Sequence, residues 1–220
     1  DNMLSKKGLN EIEISNSYDL VINFISLSSL KPDLYKSDNE RIENPEAAAE
    51  LDRKTSEAWM TSENMIIIKP TNDINEKYDK VYDEIRDLIC NKSYKKIGYK
   101  TYKSQDIADC NSKTVSIDEY IVKSNQLCKL NKIRYKDGNS YIMKKVLVDS
   151  DGNMLESRNK SISESTFNYI MENSELKNSE SYKRINYIDN DFNLIRLEYN
   201  VNMKRAEISD DNSSCLVLKK

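Results

Sequence analysis

Apolar residues recur at helical spacing through most of the first 128 residues of this chain and at every second position beyond them. A chain that builds helices first and strands later does not wind alternately around a parallel sheet. The pattern therefore predicts an α+β protein with antiparallel meanders and segregated helices. From Leu9 to Leu30, the set Ile14, Tyr18, Val21, Ile22 and Ile25 predicts one face of a long N-terminal helix, ended by Pro32. Asn44-Pro45 supplies a cap and a first-turn proline for a second helix, Glu46 to Met60. Met65-Ile66-Ile67-Ile68 reads as a short buried strand. Thr71 or Asn72 then caps a third helix, whose seam is Ile74, Tyr78, Val81, Tyr82, Ile85, Leu88 and Ile89. Residues 94–103 read as a strand, and Ser104 to Thr114 as the junction between an N-terminal unit, 1–112, and a C-terminal unit, 113–220. Ser116 opens a fourth predicted helix carrying Ile117, Tyr120, Ile121, Leu127 and Cys128. A hairpin from Ile133 to Val148 follows, turning at Asp137-Gly138. The remainder reads as a helix from Glu164 to Leu176, a strand pair about Asp189-Asn190-Asp191, and a last strand from Ser214 to Leu218.

Composition removes several kinds of chemistry. The chain has no histidine, so Ser-His-Asp and Cys-His catalysis, HExxH metal sites and any imidazole ligand are excluded. Four glycines in 220 residues leave no room for a GxGxxG turn or a P-loop. With 34 basic and 37 acidic residues the net charge is −3, which gives no global field for nucleic acid or an anionic membrane. The apolar share is 38%, low for a single deep core, although 14 tyrosines can bury rings while keeping a hydroxyl hydrated. No stretch approaches the roughly 20 apolar residues needed to span a bilayer. The chain begins at Asp1 without an initiator methionine, as an excised or matured piece would.

Few side-chain groupings suggest a site. Cys90, Cys110 and Cys128 fall close together, each closing or following a predicted helix, with Cys215 apart. Three readings stand side by side: zinc held by the three thiolates, disulfides in an extracellular domain, or buried free thiols. Without histidine, any zinc site must be rich in sulfur, and the spacings of 20 and 18 residues match no CxxC ribbon. Asp149-Ser150-Asp151-Gly152-Asn153 resembles the start of a calcium loop but has Met154 and Lys160 where an EF-hand needs glycine and glutamate, so it reads as a turn. Tyr94, Tyr99 and Tyr102 interleave with Lys95, Lys96, Lys100 and Lys103. That suits either a stacking surface for single-stranded nucleic acid or, as the net charge favours, a strand with one solvated face. Asp189, Asp191, Asp210 and Asp211 lie in predicted turns, where carboxylates are ordinary, so no catalytic pair is expected and the chain does not read as an enzyme. Trp59 reads as a core or interface anchor.

The helix from Asn10 to Leu30, together with the strand pair from Tyr182 to Tyr199, resembles the soluble headgroup of a type IV pilin. The Asn, Lys, Ile and Ser bias is similar to that of Gram-positive, clostridial minor pilins. The resemblance implies a long helix packed on an antiparallel sheet, with two pilin-like units as one reading of the halves. It also implies a non-enzymatic subunit of an extracellular pilus at the cell surface. That subunit would join other pilin subunits, and before assembly the membrane, through a segment preceding Asp1. It would meet host or bacterial surfaces through its loops, and would not bind nucleic acid. A C-terminal disulfide staple would pair Cys128 with Cys215. The rival expectation from the residues is a cytosolic interaction or regulatory module, associated with nucleic acid through residues 94–103.

Overall fold

The computed structural model describes residues 4, 6–35, 43–71, 73–90, 95–96, 99–100, 111–199, 204–209 and 214–218. The first segment is not the long helix that its apolar spacing predicts. Helix α1 spans only Glu11–Asn16, and after it the chain enters strand β1, Val21–Phe24, and then a single turn of helix, α2, Leu27–Leu30. The break is written in side chains that compete with the backbone. Ser17 Oγ donates to the Ile14 carbonyl at 2.8 Å, the acceptor that Tyr18 N–H would take in a continued helix, and Asn16 Nδ2 donates to the Ile12 carbonyl at 3.1 Å in the last turn of α1. Val21-Ile22-Asn23-Phe24 then pairs in parallel with β2, Met65–Ile68, running from Val21 opposite Met65 to Phe24 opposite Ile68. The long N-terminal helix packed on a sheet is therefore absent, and with it one of the two features that carry the pilin likeness. The other, the strand pair within 182–199, is present.

Between β1 and β2 lie a short 3-10 turn, Pro32–Leu34, and helix α3, Pro45–Trp59. Asn44 Oδ1 accepts from Ala47 N at 2.8 Å, with Pro45 in the first turn, as the dipeptide predicts. Helix α4 spans Ile74–Cys90. Its start is marked by Asp73, whose Oδ1 accepts from Asn75 N at 2.9 Å, rather than by Thr71; Asn72, the other candidate, lies outside the described residues.

The rest of the chain is sheet. Strand β3 (Lys95–Lys96) and β4 (Tyr99–Lys100) are followed by β5 (Ser112–Lys123), β6 (Leu127–Tyr135), β7 (Gly138–Val148), β8 (Met154–Glu156) and β9 (Lys160–Ile162). Helix α5 (Glu164–Glu172) precedes β10 (Glu175–Ile188), β11 (Leu194–Tyr199), β12 (Lys204–Ser209) and β13 (Ser214–Leu218). The predicted helix from Ser116 through Cys128 is instead two strands. Its Ile117, Tyr120, Ile121 and Leu127 do meet at helical spacing, but Val115 and Ile117 alternate in a β-branched run paired on both sides, with β6 and with β10. Two full ladders of hydrogen bonds override a local helical preference.

The sheet order is β3-β8-β7-β6-β5-β10-β11-β12-β13-β4, with β9 also on β7, and all pairs are antiparallel except β13 with β4. Both ends of that order come from one short segment: β3 pairs with β8, β4 pairs with β13, and only residues 97 and 98 separate them in sequence. Ten strands laid flat would put the edges about 43 Å apart. A tie of five peptide units reaches at most about 18 Å. The sheet must curl, and it forms a half-barrel.

One face of the sheet carries two cores. Ile12 of α1, fully buried, plugs the first, meeting Val115, Ile117, Ile133 and Ile142. The β1–α3–β2 unit covers the second, where Ile25, Met60 and Met65 meet Ile188, Phe192 and Leu194. Residues from both sides of position 112 thus share each core. On the opposite face, α5 lays Phe167 over Val122, Cys128, Leu130 and Tyr141.

One close approach ties α1 to the sheet. Lys136, at φ +52°, and Asp137 make the two-residue turn between β6 and β7, and Gly138 follows in register opposite Tyr135. A Cβ at Gly138 would fall 1.9 Å from Cγ of Asn10, the residue whose Oδ1 caps α1 on Ile12 N at 2.9 Å. Gly138→Ala should therefore displace the cap and cost about 1–2 kcal/mol. In urea titrations, Asn10→Ala alone should cost about 1 kcal/mol, and the double variant no more than Gly138→Ala. Additive losses would show that the two positions act separately.

Candidate functional site

Strand register places an unusual set of residues on the same face as the first two apolar cores. Lys129 and Lys144 stand directly opposite one another on β6 and β7. Glu119 opposes Asn131 across β5 and β6, and Arg184 opposes Glu198 across β10 and β11. Like charges face to face across a strand pair are unfavourable, so Lys129 and Lys144 need a counter-ion. Glu156 on β8 supplies it: Oε1 lies 2.5 Å from the Lys129 ammonium and Oε2 3.0 Å from that of Lys144. Burial pushes the Glu156 carboxyl upward in pKa, but the two ammonium groups outweigh it and hold the carboxyl down at about 2. Lys129 also pairs with Glu119 at 3.4 Å, and Glu119 Oε2 accepts from the Tyr182 hydroxyl at 3.3 Å. Burial keeps that phenol protonated, well above its ordinary range, with Glu198 acting in the same direction.

The set continues into the covering layer. Arg184, 3% exposed, donates Nε and Nη2 to Glu198 Oε1 at 2.8 and 2.6 Å, and Nη1 to Glu63 Oε1 at 2.6 Å. Glu63 sits in the loop that enters β2, so this arginine clamps sheet to layer. Arg196 adds a second clamp, donating Nη2 to the Ser62 carbonyl at 2.6 Å. Burial disfavours an ionised Glu63, yet Arg184, Arg196 and Lys144 together lower its pKa. Four carboxylates (Glu63, Glu119, Glu156, Glu198) thus balance four cations (Lys129, Lys144, Arg184, Arg196). This is the arrangement of a structural network: every named charge faces an opposite one or a backbone carbonyl.

The second feature is α4. Its side toward the body carries Lys77, Val81, Glu84 and Leu88, all half-buried; the Lys77 ammonium lies 5.0 Å from the Phe24 ring centre, and Glu84 pairs with Arg158. Only one edge of the apolar seam is therefore covered. Ile74, Tyr78, Tyr82, Ile85 and Ile89 are 58, 66, 67, 39 and 74% exposed. Five such side chains form a patch on the order of 500 Å², at the upper end for a monomer surface. No helix among the described residues is long and apolar enough to cross a membrane.

The sequence-derived candidates fall elsewhere. Cys90 ends α4 on the surface as a free thiol, and Cys128 is free and buried on β6 beside Phe167. Cys110 lies outside the described residues, among which no three potential metal ligands gather. Of the tyrosine–lysine strand, Lys95-Lys96 and Tyr99-Lys100 form the two sheet-edge strands, while Tyr94, Tyr102 and Lys103 lie outside the description. So do Asp210 and Asp211. Asp189 is spent on its turn, its Oδ1 accepting from Asp191 N at 2.9 Å and Asn193 N at 2.8 Å. Asp149 holds Asp151 N and Asn153 N in the same way, at 3.0 and 2.7 Å. Sequence reasoning passed over the charged network because Arg184 and Asn186 alternate with Ile185 and Tyr187, which is how the wet face of a strand reads. Comparison with family models, with curated proteins and with solved structures finds no match in any of the three.

The network makes two measurable claims. Arg184→Met leaves Glu63 and Glu198 buried without their partner and should cost about 3–5 kcal/mol, most of it recovered when both glutamates are also made leucine. Glu156 has its pKa depressed from 4.5 to about 2, so its stabilisation is present above pH 5 and fades as pH falls toward 2. The amount at stake is on the order of 3 kcal/mol. Urea midpoints between pH 7 and 3 should fall more steeply in the native protein than in Glu156→Gln; parallel profiles would refute the assignment.

Proposed function

We propose that this chain is a protein-interaction module that presents α4 as the surface on which a partner is held, and that it does not act as an enzyme. The observation that carries this reading is the outward-facing apolar stripe of α4. A 17-residue helix that turns Tyr78, Tyr82, Ile85 and Ile89 to solvent while packing Lys77 and Glu84 against the body gains little for its own fold. Tyrosine and isoleucine in a row are what a contact surface uses, since the rings bring large area with few rotors. The charged network supports the same reading from the other side, because its groups are consumed in joining the two layers.

The test separates partner binding from folding. Tyr82→Glu and Ile85→Glu should leave the melting temperature within about 2 °C, since exposed substitutions usually cost under about 0.5 kcal/mol. A photo-crosslinking residue at position 82, in the source cells, should then trap one dominant protein, and the Ile85→Glu background should abolish that adduct. Loss of several kcal/mol in either variant would make the stripe part of the chain's own core. An adduct unchanged by Ile85→Glu would place the contact elsewhere.

A further inference from the structure

We infer that the outer edge of β10, from Glu175 to Tyr182, is a docking site for an extended strand of a different protein, one that carries a lysine or arginine to Glu180. This surface belongs to a different element from α4 and does not depend on the reading of that helix. β10 is 14 residues long, and on one side it pairs with β5 from Glu175 to Tyr187. On the other side β11 pairs only with its second half, beginning where Tyr199 opposes Lys183. The sheet therefore has a step. Over residues 175–182 no strand among the described residues lies on the outer side of β10, and the only backbone hydrogen bonds there are those of the ladder to β5. Every second residue of an antiparallel strand turns its N–H and C=O away from its partner, so this stretch presents donors and acceptors at strand spacing. The complement to such a row is a peptide in extended conformation.

Sheet edges are commonly blunted by bulges, prolines and charges. The bulge in β10 falls between Leu176 and Asn178, and the strand has no proline. From Asn178 to Tyr182 the ladder with β5 runs unbroken, a regular edge of about 17 Å. Residues 175–179 and 181 are exposed. Charge then selects the occupant. Glu180 stands directly opposite Glu119, and like charges so placed repel. Glu119 is answered by Lys129 at 3.4 Å and by the Tyr182 hydroxyl at 3.3 Å, whereas Glu180 has no ion pair or side-chain hydrogen bond among the described residues. The residue opposite Glu180 on an incoming strand is where a cation would answer it. A second copy of this chain does not supply one: the only cation within 175–182 is Lys177, which Glu175 of the same strand holds at 2.5 Å.

Two nine-residue peptides of alternating threonine and valine test this, one with lysine in place of the central threonine and the other with glutamate. Titration of the full chain, followed by amide NMR, should show saturable binding of the lysine peptide, with hydrogen exchange slowed at alternate residues between 175 and 182 and unchanged in α4. The glutamate peptide should bind about fivefold more weakly. The lysine peptide with its backbone amides N-methylated keeps its side chains but loses its donors, and should not bind. Glu180→Lys should reverse the preference, so that the glutamate peptide binds better. Its melting temperature should be no lower than that of the native chain, since the change gives Glu119 an opposite charge across the ladder. Absence of binding by the lysine peptide, equal affinity for the two charged peptides, or exchange slowed only outside 175–182 would overturn the inference, while the crosslink at position 82 still tests α4. Exchange over 175–182 that slows with protein concentration alone, in the absence of peptide, would make a second copy the occupant and overturn it as well.

Discussion

Arg184 is the point on which the two layers of this protein depend. A guanidinium at 3% exposure is tolerable only if its donors are met, and here they are met from two directions, by Glu198 on the neighbouring strand and by Glu63 in the loop above. The sheet-borne carboxylate fixes the plane of the fork, and the loop-borne one then has a single position in which it can be satisfied. An apolar contact between sheet and layer would permit sliding, because burial is indifferent to direction. The charged contact does not. It sets where β2 begins, hence where Val21 finds Met65, and so how Ile25, Met60 and Met65 come down on Ile188 and Leu194. Glu156 plays the matching part at the other end of the face, making two opposed lysines compatible with a common strand pair.

What could be read in the sequence was what local chemistry decides. Asn44-Pro45 marked α3 because a cap and a first-turn proline act within four residues, whereas Asp137-Gly138 marked the hairpin one residue late: the turn is Lys136-Asp137, with the positive φ at Lys136 and Gly138 already paired in β7. The stretch from Asn10 to Leu30 misled because its apolar spacing fits a helix while its decisive residues are Asn16 and Ser17, whose side chains cap carbonyls and end α1 after six residues. The β5 region misled for a different reason: nothing local tells Ile117 that strands stand ready on both sides. The charged network was hidden by the same alternation that revealed the strands. A period of two says which residues share a face, and says nothing of whether a second layer covers it.

The two acidic turns show one local solution used twice. Asp149-Ser150-Asp151-Gly152-Asn153 and Asp189-Asn190-Asp191-Phe192-Asn193 share the same bonds, from the first carboxylate to the third and fifth backbone N–H groups. Both place the fourth residue at positive φ, +81° in Gly152 and +58° in Phe192. Glycine meets that demand without strain. Phenylalanine meets it at a cost, offset by burying its ring at 3% exposure in the core under Arg53. One turn is thus purely a connector and the other also an anchor for the layer above.

The short tie from Lys95 to Lys100 has a consequence for how this chain must be made. Its two pairings reach forward to Glu156 on one edge and Cys215 on the other; the first needs the chain only through β8, but the second cannot form until β13 has been made. Contacts of such sequence separation close late and slow the search for the native state. Until each pairing closes, β8 and β13 stand as bare edges, able to recruit a strand from a neighbouring chain. In the finished protein both are blunted at once by the same few residues. A nascent chain in which β13 has not yet emerged would leave β12 bare and that edge open, which makes β13 a guardian of solubility as much as a part of the sheet.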